Sequence, residues 1–463
     1  MTVSTEQASM RFGCGLSPDL PALGPDQLLT GLREPDEIAK RFPIELFSIY
    51  GRNLEAAARL RREIKTARKQ GKTKRAVAAR DELRTMRKTL GGQNREWYVK
   101  TLLRWSQTQV PLRERLTMFW ADHFTARGKN PIMAAATFPY IEEAIRPNVN
   151  GRFGDLLIAA VTHPLMLHFL DQSYSVGPDS VAAKRAERLG GLNENLAREV
   201  LELHTLGVDG PYDQNDVRQL AELFTGLSYK IDGTFIFRNG FAEPGAETVL
   251  GVRYGAGERG IGPVIDALND IAAHPATARH IAWKLAVHFV SDTPDPALVD
   301  HVAARFESSG GDLEQVYTAL LEHPASWGEQ TGNVKPPFDL IASSCRALAV
   351  TSQDMKKLTP RQLRRTLLNP LADMGQPLLK PSGPDGWAEE DEAWITPQGL
   401  SARLRWAVSA PAFLRPALPE PGAFVETALG PFATEPVRFA ARAAESRSDA
   451  IGLILSSPAF QRR

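Results

Sequence analysis

Carboxylates and a histidine crowd together in one stretch, NENLAREVLELHTLGV, from Asn193 to Val208. Imidazole is the side chain that titrates nearest neutral pH and that binds metals through either ring nitrogen. A histidine among carboxylates is therefore raw material for acid–base or metal chemistry. At about 100° per residue from an Asn193 N-cap, Leu196, Ala197, Val200, Leu201 and Leu203 share one helix face. Glu194, Asn195, Arg198, Glu199 and Glu202 share the other, and Arg198 is spaced to pair with both Glu194 and Glu202. His204 falls on the apolar face. His123, in RERLTMFWADHF, follows Leu116, Phe119 and Trp120 at helical spacing and falls on an apolar face as well.

A buried imidazole needs a partner for each ring nitrogen. Two readings follow and both stay open here. Each histidine is a core group bonded to backbone, or the two converge on a polar pocket as acid–base groups or ligands. In the second reading Glu199, Glu202, Asp171 and Asp216 supply carboxylates, and Arg198 clamps an anion or carboxylate. Asp171, Asn193, Glu194 and Asn195 are the candidate binding groups. The identity of any metal or cofactor is open. In the following segment, YDQNDVRQLAELFTGL, Asp213 is the expected N-cap with Asp216 at the third position. The short link VDGPY implies an antiparallel pair, and Gly207 suits a left-handed helix end. Sharper signatures are missing: the sequence has no HExxH, GxxxxGK[ST], GxSxG or CxxC.

The elements that must position these residues are mostly helical. Apolar residues recur at helical spacing over long segments, and runs are punctuated at His163-Pro164, His274-Pro275, His323-Pro324 and Ser457-Pro458. Proline suits a first helical turn, so each dipeptide reads as a boundary between helices and the preceding histidine as a boundary residue. The strand signal is confined to SYKIDGTFIFRNG, with a hairpin turn expected at Asp232-Gly233, and to ETVLGVRYG, which could add a strand. Residues 52–88 carry 14 Lys/Arg against 4 Asp/Glu and read as two exposed helices joined at KQGKTK. No aromatic residues interleave there to stack bases, so nucleic acid is not the expected partner. A long Pro/Gly/Trp stretch, 375–399, is either a lid or a loop pinned by Trp387 and Trp394. The expected fold is mainly α. A helical body, 1–335, carries the basic arm 52–88 and a β insert 228–256, and a C-terminal helical lobe, 336–463, packs on it.

Whole-chain properties are those of an ordinary globular protein: 463 residues, 43% hydrophobic, formal net charge +1. The near-zero charge points to no polyanionic partner. The 2 cysteines, Cys14 and Cys345, are too few for a disulfide framework and read as reduced thiols. No run approaches the ~20 apolar residues of a membrane span, and no signal-peptide pattern opens the sequence. The expected location is cytoplasmic, with export alongside a partner left open.

Several segments together, RFGCGLSPD, MFWADHF, NENLAREVLELHTLGVDGPYDQNDVRQLAELFTGL, HPATARHIAWKLAVHFVSDTPDPALVDHVAARF and SSPAFQRR, resemble the bacterial domain-of-unknown-function family number 1800 nearly end to end. That resemblance implies no particular reaction. It does imply a partner by association: members are often encoded beside an exported, sulfatase-like family. Where members often carry a His-Asp pair followed by Gly and Lys, this sequence has Ala242, Glu243 and Glu247. Two functions are therefore expected in competition. One is a hydrolytic or group-transferring enzyme acting on a polymer or exported protein through His123, His204 and the carboxylates. The other is a non-catalytic helical partner or maturation factor for the sulfatase-like protein.

Overall fold

A computed structural model of the chain describes residues 3–185, 191–257, 260–328 and 332–463. The fold is mainly α. Helices α1 (Phe47–Lys69) and α2 (Thr73–Gln107) form the basic hairpin. Ala57, Leu60, Ala67, Ala76, Ala79 and Leu83 are buried, which explains how a segment so rich in charge still folds. The turn between them sits at Gly71, whose φ of 67° is the left-handed conformation glycine adopts without a Cβ penalty. Helix α3 (Pro111–His123) follows and ends on the Asp122–His123 pair.

The Asn193 segment departs from the expected regular helix. Helix α4 spans only Asn195–Glu199, and Val200–His204 continues it as a π-turn, so the angular step assumed from sequence is lost before His204. Asn193 lies outside the helix; its side chain still accepts from the Asn195 N–H at 3.1 Å. Gly207 is left-handed as expected (φ 90°), and Val208 after it is exposed. Helix α5 (Gln214–Leu223) begins with the anticipated capping box of Asp213 and Asp216.

The β insert is two separate hairpins. Strands β1 (Leu227–Tyr229) and β2 (Phe235–Phe237) pair antiparallel with Tyr229 opposite Phe235, so the connection is the longer segment 230–234, not a two-residue turn at Asp232-Gly233. Strands β3 (Glu247–Val249) and β4 (Val252–Tyr254) carry the tight turn instead, at Leu250–Gly251, both with positive φ. A leucine is tolerated there because its N–H is held by Asp216 Oδ1 at 2.8 Å and its side chain packs on the core.

Helix α6 (Pro275–Phe289) starts at one of the His-Pro boundaries. The three histidines at those boundaries are caps: Nδ1 of His163, His274 and His323 accepts the N–H two residues on, at 3.1, 3.1 and 3.3 Å. Helices α7 (Pro337–Ala347) and α8 (Pro397–Ser409) belong to the C-terminal segment. One contiguous hydrophobic cluster joins Phe12, Trp105, Trp120, Phe289, Leu340 and Phe460, so the C-terminal segment shares its core with the rest. Cys14 and Cys345 are free and buried. No helix among the described residues is long and apolar enough to cross a membrane.

The hairpin root is clamped against the β insert at Gly51, where an added Cβ would lie 2.0 Å from the Asp232 carbonyl oxygen. Gly51→Ala is expected to destabilise the protein by about 1–3 kcal/mol through backbone overpacking. Gly92→Ala, whose Cβ would meet only the Arg95 guanidinium at 3.7 Å, is expected to stabilise by about 0.5–1 kcal/mol. Urea unfolding of the two variants checks the contrast; equal behaviour would rule the clamp out.

Candidate functional site

His123 and His204 do come together, with ring centroids 6.0 Å apart. They meet in a closed, aromatic environment: Trp120 and Phe124 lie edge-on to His123 at 5.2 and 4.6 Å, and Phe124 is 5.1 Å from His204. His123 Nε2 lies 3.1 Å from the His204 carbonyl oxygen, and His280 Nε2 lies 3.2 Å from the Leu203 carbonyl oxygen. Carbonyl oxygens only accept, so both Nε2 atoms carry the proton. The physical reason is the helix end. The π-turn stops at His204, leaving its last carbonyls without intrahelical donors, and two rings from other helices supply them. Burial pushes the His204 pKa down to about 3 and the His280 pKa to about 4, and drives His123 well down too. All three rings are neutral near pH 7, and among the described residues neither His123 nor His204 bonds a carboxylate.

The remaining sequence candidates are distributed over two places. Arg198 lies between Glu194 (3.2 Å) and Glu202 (3.1 Å) and also donates to Gln214 at 2.9 Å, which ties α4 to α5. Asp216 is occupied by the α5 cap and the Leu250 N–H. Asp171, itself left-handed (φ 57°), pairs with exposed Lys129 at 2.5 Å, and Asn193 donates to the Leu170 carbonyl at 2.8 Å. Asn195 is exposed. Glu199 differs from these: burial, then Glu202 and Asp385, push its pKa up to about 7. Asp385 belongs to the 375–399 loop, so Glu199 feels both its helical neighbour Glu202 and the loop. Glu243 and Glu247 lie beside a separate pocket with Lys184. Among the described residues, no group of three or more His, Cys, Asp or Glu side chains is arranged to hold a metal ion.

The chemistry-bearing pocket lies beside Asp122, the neighbour of His123. It is bounded by α3, α6, α7 and the 375–399 loop, and offers about 90 Å³ to the centres of water-sized molecules. Arg115, Asp122, Arg127, His288, Asp339 and Glu389 line it together with Trp105, Phe138, Phe338, Trp387 and Trp394. Nδ1 of His288 donates to both Glu389 oxygens, at 3.0 and 2.9 Å. Burial raises the Glu389 carboxyl, but the His288 ring, its hydrogen bond and Arg463 outweigh that and hold it down at about 2. Asp122 moves the opposite way. Burial and then Glu389 push its pKa up to about 8, although its two oxygens accept the Trp387 N–H at 3.2 and 3.1 Å and Lys284 is nearby. One pocket thus holds two carboxyls, one ionised and one protonated at pH 7, the separation that acid–base sites use.

The loop is a wall of this pocket. Trp387 is bonded to Asp122, Arg127 Nη1 donates to the Pro381 carbonyl at 2.8 Å, and an added Cβ on Gly386 would lie 2.7 Å from Asp122 Oδ2. Trp387 and Trp394 pack at 6.3 Å. Sequence reading passed over Asp122, His288, Lys284 and Glu389. One signal was available: in HIAWKLAVH, His280, Lys284 and His288 repeat every four residues and fall along one side of α6. Lys284 joins the two halves of the site electrostatically, since it acts on His123, His204 and His280 on one side and on Asp122 and Glu389 on the other. The loop carboxylate has no periodic signal, because nothing in a loop fixes where a side chain points.

The family model described as Protein of unknown function (DUF1800) matches residues 7–462, and the chain belongs to that family. No curated protein and no solved structure matches it.

Two outcomes test this geometry. His123→Ala is expected to cost about 3 kcal/mol, from the orphaned His204 carbonyl and the cavity left behind. His123→Gln, which keeps a donor, should recover part of that loss in urea unfolding; equal losses would argue against the capping role. Asp122 has a folded pKa raised above its ordinary value of 3.8. Its contribution is therefore fully present below pH 3.8 and is lost as the pH rises toward about 8. Thermal unfolding of Asp122→Asn across that range should show a shallower decline than the wild type, and an unchanged decline would mean Asp122 is ionised throughout.

Proposed function

We propose that the chain is an enzyme, hydrolytic or group-transferring, whose acid–base site is the pocket between α3, α6, α7 and the 375–399 loop. The observation that carries this reading is the pairing of Asp122 and Glu389 in one pocket with environments that push their protonation apart. Asp122, protonated near pH 7, is suited to deliver a proton to a leaving group or to take one back, since its pKa lies close to the working range. Glu389 stays anionic and orients His288 through the Nδ1–H bond. Arg115 and Arg127 supply fixed positive charge where negative charge would build up. His123, His204 and His280 enter as supports. The His123 and His280 rings, bonded to the His204 and Leu203 carbonyls, hold α3 and α6 to the π-turn, so Asp122 is presented from a rigid helix end. Arg198, Glu202 and Asp216 brace α4 and α5, while Glu199, with its raised pKa and its proximity to Asp385, belongs to the approach to the site.

The partner reading has its own support in the α1–α2 hairpin, whose outer half keeps Arg80, Arg84 and Arg87 exposed. The experiment that separates the two is a turnover screen with chromogenic esters, phosphate monoesters and glycosides. Wild type is expected to turn over one class, with Asp122→Asn and Glu389→Gln each losing at least about 100-fold, in line with removal of a general acid or base, while their unfolding temperatures stay close to wild type. Turnover that is undiminished in both variants would sink the assignment. Absence of turnover in the wild type for every class would favour the partner reading.

A further inference from the structure

We propose that this pocket binds a small amphipathic monoanion, an apolar body carrying one carboxylate or sulfonate head. The inference rests on the enzyme reading only for the importance of the pocket; it names the chemical class of what enters. Three residues lining the pocket carry a buried hydrogen-bond donor with no partner: Trp105 Nε1, Trp394 Nε1 and Arg115 Nη2. The three residues are 1%, 3% and 3% exposed. Indole N–H and guanidinium groups donate and never accept, so what they lack is an acceptor. A buried donor without one is costly, and natural structures seldom leave three around one cavity.

The charge balance points the same way. Arg115, Lys335, Arg403 and Arg463 are all less than 5% exposed. Asp339 is the carboxylate that pairs with Arg115 (3.7 Å) and with Arg463. Arg403 is spent on the neutral acceptors Trp394 O, Gln461 Oε1 and Lys335 O, and Lys335 Nζ sits 4.0 Å from the Phe460 ring centroid. Crowding by these cations adds to burial in bringing Lys335 down to about 7. Of these cations Arg115 lines the pocket, together with Arg127, so an anion entering it would face two guanidinium groups. Asp339 and Glu389 also line the pocket and would repel a second negative charge, which favours a monoanion over a phosphate dianion. Phe138, Phe338 and Leu371 make up apolar wall, so the anion needs an apolar body to fill the space.

The test is isothermal calorimetry on the intact protein with hexanoate, benzoate, 3-phenylpropionate and benzenesulfonate, against 3-phenylpropanol as neutral isostere and 2-phenylethyl phosphate as dianion. At least one monoanion is expected to bind roughly tenfold or more tightly than the alcohol and the phosphate, as loss of a charge-assisted hydrogen bond implies. Trp394→Phe and Trp105→Phe, which delete the donor and keep a ring, should each weaken that monoanion about tenfold and leave the alcohol unchanged. Thermal unfolding without ligand confirms that the variants are folded. Three outcomes overturn the proposal: equal binding of acid and alcohol, variants that weaken both alike, or no monoanion binding below about 10 mM. Because calorimetry needs no turnover, failure here leaves the enzyme reading standing. Selective binding without turnover would do the reverse.

Discussion

Two backbone carbonyls, those of Leu203 and His204, constrain the arrangement around them. They lie at the end of a buried π-turn, where no further helical N–H can reach them. His280 from α6 and His123 from α3 donate to them at 3.2 and 3.1 Å. A buried carbonyl without a donor is costly, so three segments distant in sequence are locked at one point. That lock sets the angle from which α3 presents Asp122 and α6 presents Lys284 and His288. Burial keeps both rings neutral, and each still donates through Nε2–H.

From that lock outward, polarity increases toward the pocket. The His123 side is aromatic and dry. One residue earlier, Asp122 receives the Trp387 N–H and sits among charges. The 375–399 loop completes the site by supplying Glu389 to His288 and both tryptophans to the wall. It is held at Asp122, at His288 and through Asp391, which pairs with Arg462 at 2.8 Å and accepts the Val334 N–H at 2.5 Å. A loop anchored at several points by charge-assisted hydrogen bonds is part of the framework as well as a cover. Its Trp394 and the body's Trp105 and Arg115 leave donors unmet, which gives the pocket its preference for an acceptor.

Much of the framework was legible in residue types and spacing. Proline after His163, His274 and His323 marked helix starts, because proline fixes φ and lacks the N–H a first turn does not need. The Asp213–Asp216 cap, the left-handed Gly207 and the Glu194–Arg198–Glu202 ladder are local features, set by groups within a few residues of one another. The β turns were harder to place: Leu250, an unfavourable residue at positive φ, is held by Asp216 from another element, whereas the Asp232-Gly233 signal lies inside a longer connection.

The sequence by itself determined the mainly helical fold, the basic hairpin, the family, and the convergence of interest on His123 and His204. These rest on periodicity, capping and motif, which act over short distances along the chain. Only the tertiary structure decided which side of α3 faces a pocket. The π-turn at Val200–His204 breaks the regular angular step, so an ideal-helix count could not give which ring from another helix meets each of its last carbonyls. Protonation was likewise beyond the sequence. Asp122 is driven up and Glu389 down by burial and by charges from helices and a loop far away in the chain, and such a field exists only once the chain has folded.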